Sequence, residues 1–293
     1  MQLMADRPVI SVCIPTLGRE ALVQRSVPSV LAETDLAVEV VVAVNGPGAL
    51  PDDELLRDPR VTVVPGVEGS VGAVRNAAAA AASAPVLVFL DDDDEFLPGG
   101  LRDLSTPFDD PDVAFVSGRL ESVDGAGVRT KVVEPEQLGA LFADLYATQL
   151  AGGFAMRASL FDAVGGYDER LRFSENYELC MRLGRELART GSRSVVTGTI
   201  VSRYWPSGRS YVDQSADCAE VILETHGELI DRDPKLKAQW EALAGVALFR
   251  AGRHRRGRTH LVRAARARPA DWRNWYRLVL TLVPPLAKRV WGR

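Results

Sequence analysis

Residues 84–95, Ala-Pro-Val-Leu-Val-Phe-Leu-Asp-Asp-Asp-Asp-Glu, carry an apolar run straight into four consecutive carboxylates, Asp91 to Asp94. An unbroken apolar run bounded by Pro85 has the composition of a strand buried on both faces, as in parallel sheets. Strands of open α/β sheets present their carboxyl ends to the ligand crevice. Four carboxylates there repel one another unless a cation holds them, and an all-oxygen set suits Mg²⁺ or Mn²⁺. The plainer alternative is a solvated acidic turn, which is what most aspartate runs are.

The segments around this run alternate between strand and helix. Val9–Ile14, Val38–Val44 and Val61–Val64 are β-rich, and the second is closed by Asn45-Gly46-Pro47-Gly48. Residues 19–33 have helical spacing, interrupted by Pro28, and Val71 to Ala82 is an alanine-rich helix. This alternation predicts a mostly parallel central sheet flanked by helices, an α/β fold. Ala114–Ser117 and Leu120–Val123 read as two later strands followed by a turn at Asp124-Gly125, and residues 136–150 as a helix or a loop. Gly152–Met156 opens another short strand, Arg157–Val164 and Glu175–Thr190 read as helices, and the chain is helical from about residue 215. Residues 242–268 have the small-residue rhythm of a single tetratricopeptide-like hairpin, too little for a repeat array.

Charge is distributed unevenly. From Glu241 onward 13 Lys and Arg face two acids, a net charge of +11, which leaves −15 on residues 1–240 of a chain whose total is −4. The three cysteines, Cys13, Cys180 and Cys218, are far apart and form no CxxC pair, which points to a reducing, cytoplasmic setting. Residues 1–8 lack the apolar core of a secretory signal, and no apolar run reaches the roughly 18–20 residues of a membrane span. Any membrane contact is therefore expected to be peripheral, at the inner face.

Four blocks fall in a fixed order: Val12-Cys-Ile-Pro-Thr-Leu-Gly-Arg19, Val41-Val-Ala-Val-Asn-Gly46, Gly72-Ala-Val-Arg-Asn76 and Phe89-Leu-Asp-Asp-Asp-Asp-Glu95. With Gly165-Gly-Tyr-Asp-Glu169 and Ser174-Glu-Asn-Tyr-Glu-Leu179 they closely resemble the family-2 glycosyltransferases of the GT-A fold, over roughly residues 8–210. The resemblance implies a nucleoside-diphosphate sugar as donor, UDP foremost, a divalent cation (Mn²⁺ or Mg²⁺), and inversion at the anomeric carbon. It implies a transferase domain over residues 1–214 and leaves 215–293 as a basic, Trp- and Arg-rich helical extension. The family's Asp-x-Asp falls on Asp91 and Asp93, with Asp93 as direct metal ligand, Asp91 at the ribose or a metal-bound water, Asp92 between them and Asp94 supporting. Pro15, Thr16, Gly18 and Arg19 match the first-strand turn beside the nucleoside. Arg75 matches the arginine that reaches base or phosphate, though it could instead cap a helix surface, and Asn76 matches its neighbour. Gly152, Gly153 and Phe154 match the acceptor-side strand, with small residues permitting close approach. Tyr167 and Asp168 border the acceptor or simply pack at a turn.

The departures bear on chemistry. Val44-Asn45 stands where the family has a base-reading carboxylate, and the Asn45 amide is a weaker substitute. Gly18 replaces the first turn's usual asparagine. Trp205 occupies the region of a metal-binding histidine; it cannot ligate a cation but can stack on a sugar or base. An inverting transfer needs a carboxylate to deprotonate the acceptor hydroxyl. The family's Glu-Asp pair is here Glu175-Asn176, and Asn has no usable basicity. Glu175 is the first candidate base, Asp168 or another carboxylate the second, and a chain without an efficient base the third.

Two functions follow. One is metal-dependent transfer to a small-molecule, lipid-linked or polysaccharide acceptor; the other is a non-catalytic sugar-nucleotide-binding scaffold. A nucleotidyltransferase is disfavoured because its Gly-rich phosphate loop is missing. His254 and His260, in an Arg-rich stretch, read as solvated residues. The tail mixes Arg and Lys with Trp272, Trp275, Tyr276 and Trp291, which suits a bilayer interface, a dimer or partner surface, or a helical cap. Nucleic acid is not expected, since the acidic body repels phosphate.

Overall fold

The computed structural model describes residues 7–47, 49–137, 145–206 and 212–291. Two compact units emerge: residues 1–169 with 175–207, and residues 170–174 with 208–293.

The first unit is built on β1 (Ile10–Thr16), β2 (Val38–Asn45), β3 (Val61–Val67) and β4 (Val86–Phe89). Then come β5 (Glu95–Phe96), β6 (Val113–Val123), β7 (Arg129–Val133), β8 (Glu136–Gln137), β9 (Tyr146–Ala147), β10 (Phe154–Arg157) and β11 (Arg193–Tyr204). The main sheet runs β3-β2-β1-β4-β10-β6-β11-β5, with β7 beside β6. Strands β1, β2, β3, β4, β6 and β11 share one direction, while β10, β5 and β7 oppose their neighbours. Every residue of β1 and β4 is buried, as continuous apolar runs require. Helix α2 (Val71–Ala81) lies against β1 and β2, and the Ser70 hydroxyl caps it by accepting from Ala73 N at 3.2 Å. The core joins Ile10, Val12, Val40, Val42, Val88 and Leu90 to α1 (Val27–Leu31) and α3 (Gly100–Ser105).

Three expectations are corrected. Residues 114–123 form one strand, because Gly118 leaves room for β11: a Cβ there would stand 2.7 Å from the Val201 side chain. The helical stretch 19–33 is split into a wide π-turn, Leu22–Ser26, and α1; Pro28, lacking an N–H, sits at the start of α1 rather than inside a longer helix. Within 136–150 the described ends pair as a β8–β9 ribbon instead of a helix, and 138–144 lie outside the described residues. The twelve-residue β11 and the short β5 and β7 had no sequence expectation.

In this unit, α4 (Ala158–Ala163) follows β10 and α5 (Glu175–Thr190) precedes β11. The second unit holds α6 (Val212–Ile230), α7 (Pro234–Arg250), α8 (His254–Ala267), α9 (Trp272–Leu280) and α10 (Pro284–Trp291). Helices α7 and α8 close on two glycines: a Cβ on Gly257 would meet Gly245 O at 2.7 Å. His260 is not solvated as its sequence surroundings suggest; it is buried, with Nδ1 2.6 Å from Glu241 Oε2, and the His254 ring stacks on Phe249 at 4.3 Å. Among the described residues no helix is long and apolar enough to cross a membrane.

Candidate active site

The carboxyl ends of β1 and β4 lie side by side, since Val12 pairs with Val88 and Cys13 with Phe89. This register delivers the turn after β1 to the aspartates after β4. Thr16 Oγ1 donates to Asp92 Oδ2 at 2.5 Å and accepts from Gly18 N at 2.9 Å. Gly18 holds φ +82, and a Cβ there would stand 2.3 Å from Ala49 O, so only glycine fits the turn. That turn aims Arg19 at the cluster. Its guanidinium lies 2.6 Å from Asp92 Oδ1 and 2.7 Å from Asp93 Oδ2. Pro15 is buried within β1, paired with Ala43 of β2.

A second arginine serves the other side. Arg75, on the buried face of α2, is 2% exposed; it donates to Asp91 Oδ1 at 2.6 Å and to Glu175 Oε1 at 2.8 Å. Burial alone lowers its proton affinity, but Asp91, Tyr167 and Glu175 outweigh that and hold it firmly charged. Asn176 is buried beneath it, and its Oδ1 accepts from Tyr167 Oη at 2.9 Å. Neighbouring Asn76 ties down the 165–169 turn, accepting from Tyr167 N at 2.8 Å and donating to Tyr167 O at 3.0 Å. Glu175 opens α5, and the preceding Ser174 holds φ +60, uncommon outside glycine.

Of the four aspartates, Asp92 and Asp94 are buried. Burial, with the neighbouring carboxylates, raises the proton affinity of Asp94 well above the ordinary range; Asp92 is raised less because Thr16 and Arg19 oppose the shift. Asp94 Oδ1 accepts from Trp205 N at 2.8 Å, and the Arg25 guanidinium stacks 4.0 Å over the Trp205 ring. Asp91 and Asp93 keep 37% and 23% side-chain exposure, and each engages an arginine through one oxygen. Among the described residues no three His, Cys, Asp or Glu side chains converge into a metal cage. The pair still fits a divalent ion shared with a diphosphate, because Mg²⁺ commonly takes one or two carboxylates and completes its shell from phosphates and water.

The remaining expected residues lie as follows. Asn45 ends β2 with only a long 3.4 Å contact to Gly69 O. A Cβ on Gly152, at φ +77, would meet Ser202 Oγ at 3.0 Å, and one on Gly153 would meet Thr148 Oγ1 at 2.0 Å. The close approach these glycines permit is of the chain to itself. Phe154, expected on the acceptor side, is buried and stacked on Phe115 at 5.6 Å within the sheet. No local pattern pointed to Arg25, whereas the Tyr167–Asn176 bond had a faint signal in the Gly-Gly-Tyr-Asp turn.

Known proteins share the fold that carries this cluster. A model described as Glycosyl transferase family 2 matches residues 11–164. The uncharacterized protein MT1568 of Mycobacterium tuberculosis (strain CDC 1551 / Oshkosh) is 33% identical over 131 residues, 40% of this chain and 39% of that protein. The chain thus matches well under half the length of this curated relative. Among solved structures, S. aureus TarS 1–349 in complex with UDP-GlcNAc gives a TM-score of 0.63 at 18% identity, covering 88% of this chain and 81% of that one. The same TarS fragment in complex with UDP gives 0.55 at 18% identity, covering 97% and 92%. At such identities the likeness concerns the fold, a curled mixed sheet flanked by helices. With the family model spanning over half of its length, the chain belongs to glycosyl transferase family 2.

Proposed function

We propose that the protein transfers a sugar from a nucleoside-diphosphate sugar, UDP-linked foremost, to an acceptor hydroxyl with inversion. One observation carries this reading: Arg75 holds Asp91, on the donor side, and Glu175, the candidate base, on a single guanidinium. The solved TarS complexes with UDP-GlcNAc and UDP support the choice of nucleotide.

In this account the first-strand turn, Pro15 to Arg19, and Asn45 border the nucleoside, while Arg75 fixes the carboxylates around the diphosphate. Asp93 and Asp91 would hold Mn²⁺ or Mg²⁺, which when bound neutralises charge on the departing diphosphate. Glu175 takes the proton of the acceptor hydroxyl as that oxygen bonds to the anomeric carbon. The bond from that carbon to the diphosphate oxygen breaks on the opposite face, and the nucleoside diphosphate leaves with the electron pair. Asn176 and Tyr167 hold Arg75 and the start of α5 in place. Trp205, backed by Arg25, offers a flat surface for the acceptor sugar.

The test is release of nucleoside diphosphate from a panel of UDP-, GDP- and dTDP-sugars with Mn²⁺, using the wild type and Glu175→Gln. Turnover that collapses in the variant supports the proposal. Donor binding without turnover in either protein favours the scaffold reading, for which the Glu175–Arg75 pairing and Asn176 are the structural grounds.

A further inference from the structure

Helices α9 and α10 display their large apolar residues on the outside. On α9, Trp272, Trp275, Tyr276 and Val279 are all exposed, Trp272 to 67%. The stretch that follows adds Leu282, at 71%, with Val283, Leu286 and Val290. Inward, the two helices bury chiefly Asn274, Leu280 and Ala287. Nearly half of the exposed large apolar side chains among the described residues thus fall within this one short segment. An ordinary solvated helix has the reverse pattern.

The charge on the same segment is of one sign. Between Trp272 and Trp291 stand Arg273, Arg277, Lys288 and Arg289 and no acid. Arg273 and Arg277 also wall a groove of about 550 Å³ lying within the second unit, together with Lys235, Arg250 and Arg268. Its single carboxylate, Asp271, accepts from Arg273 N at 3.1 Å as the cap of α9. One helix therefore carries aromatic rings on its outer side and contributes cations to a groove rich in guanidinium groups. A second copy of the chain is a poor occupant of this face, because a two-fold pairing would set cation against cation.

We propose that α9 and α10 seat the protein on an anionic bilayer. The Trp and Tyr rings lie at head-group level, Leu282, Val283 and Leu286 enter the acyl boundary, and the groove cations take lipid phosphates. Both helices are short, nine and eight residues, so the contact is peripheral. The inference stands apart from the transferase reading.

The test is co-sedimentation of the full chain with vesicles of phosphatidylcholine alone, or mixed with phosphatidylglycerol. The expected result is at least about tenfold more binding to the anionic vesicles, falling steeply with added salt, with a blue shift of tryptophan emission. Trp272→Ser with Leu282→Ser should abolish binding to both vesicle types. Arg273→Gln with Arg277→Gln should remove the anionic preference while leaving melting temperature and far-UV dichroism unchanged. Failure to sediment with either vesicle overturns the proposal, as does equal binding by wild type and both variants. A dimer that the Trp272/Leu282 variant dissociates, with no vesicle binding, overturns it in favour of self-association. Binding of free inorganic phosphate without vesicle binding overturns it in favour of a soluble anion.

Discussion

Arg75 and Glu175 lie 100 positions apart in sequence and meet at 2.8 Å, with the other arm of the same guanidinium 2.6 Å from Asp91. A candidate base and a carboxylate of the aspartate run thereby share one buried cation, and a change to any of the three is felt by the others.

Glu175→Gln keeps an amide oxygen for Arg75 but removes the basicity. Transfer should fall by about 10²–10⁴ while donor affinity changes little, because the loss falls on the proton-transfer step. Comparing kcat with donor Kd checks this. An equal loss in both would make Glu175 a binding residue.

Arg75→Met leaves two carboxylates facing each other without their cation. Because Asp91 is about a third exposed, the cost should be about 2 kcal/mol rather than the larger figure for a fully buried pair. Chemical denaturation reads it directly. Arg75→Lys should recover only part, since one ammonium cannot serve Asp91, Glu175 and Asn176 with the same fork.

Glu39 gives an acid-sensitive clamp remote from the site. Burial alone would raise its proton affinity, but Ser11 Oγ, Ser83 N and Oγ and Ala84 N all donate to its carboxylate, and the balance is a lowered value. A group depressed in the folded state contributes stability above its unfolded value, near 4.5. That contribution is lost as pH falls through the lower folded value. Glu39→Gln should therefore cost about 1 kcal/mol at neutral pH, a figure reduced for the group's partial exposure. The difference from wild type should shrink below pH ~4, as melting curves across pH will show.

Gly18→Ala forces a side chain onto Ala49 O in a left-handed turn. The expected cost is about 1–3 kcal/mol. Arg19 would lose its aim at Asp92 and Asp93, so donor affinity should fall together with the melting temperature.

Much of this was legible in the residues, for identifiable reasons. The apolar run before Asp91 read as a buried strand and is one, Val86–Phe89, and Glu175–Thr190 matched α5 at both ends because its apolar spacing is unbroken. Strand β11 was invisible: Arg193–Tyr204 alternates poorly, and its pairing is set by β6, some eighty residues away. Gly118 suggested a break because glycine usually punctuates a strand, whereas here it admits Val201. The aspartates were found, but their partners were not. Whether a carboxylate meets Arg19, Arg75 or the Trp205 amide depends on which loops the sheet order brings together, and local sequence does not encode that.

Calorimetric titration of UDP-GlcNAc and related donors into the full chain, with and without Mn²⁺, tests the donor site most directly. Saturable heat that requires the ion, and that Asp93→Asn abolishes, is the predicted result. No heat from any nucleoside-diphosphate sugar, with Mn²⁺ or Mg²⁺ present, would contradict the assignment of Asp91–Asp94 as its cradle.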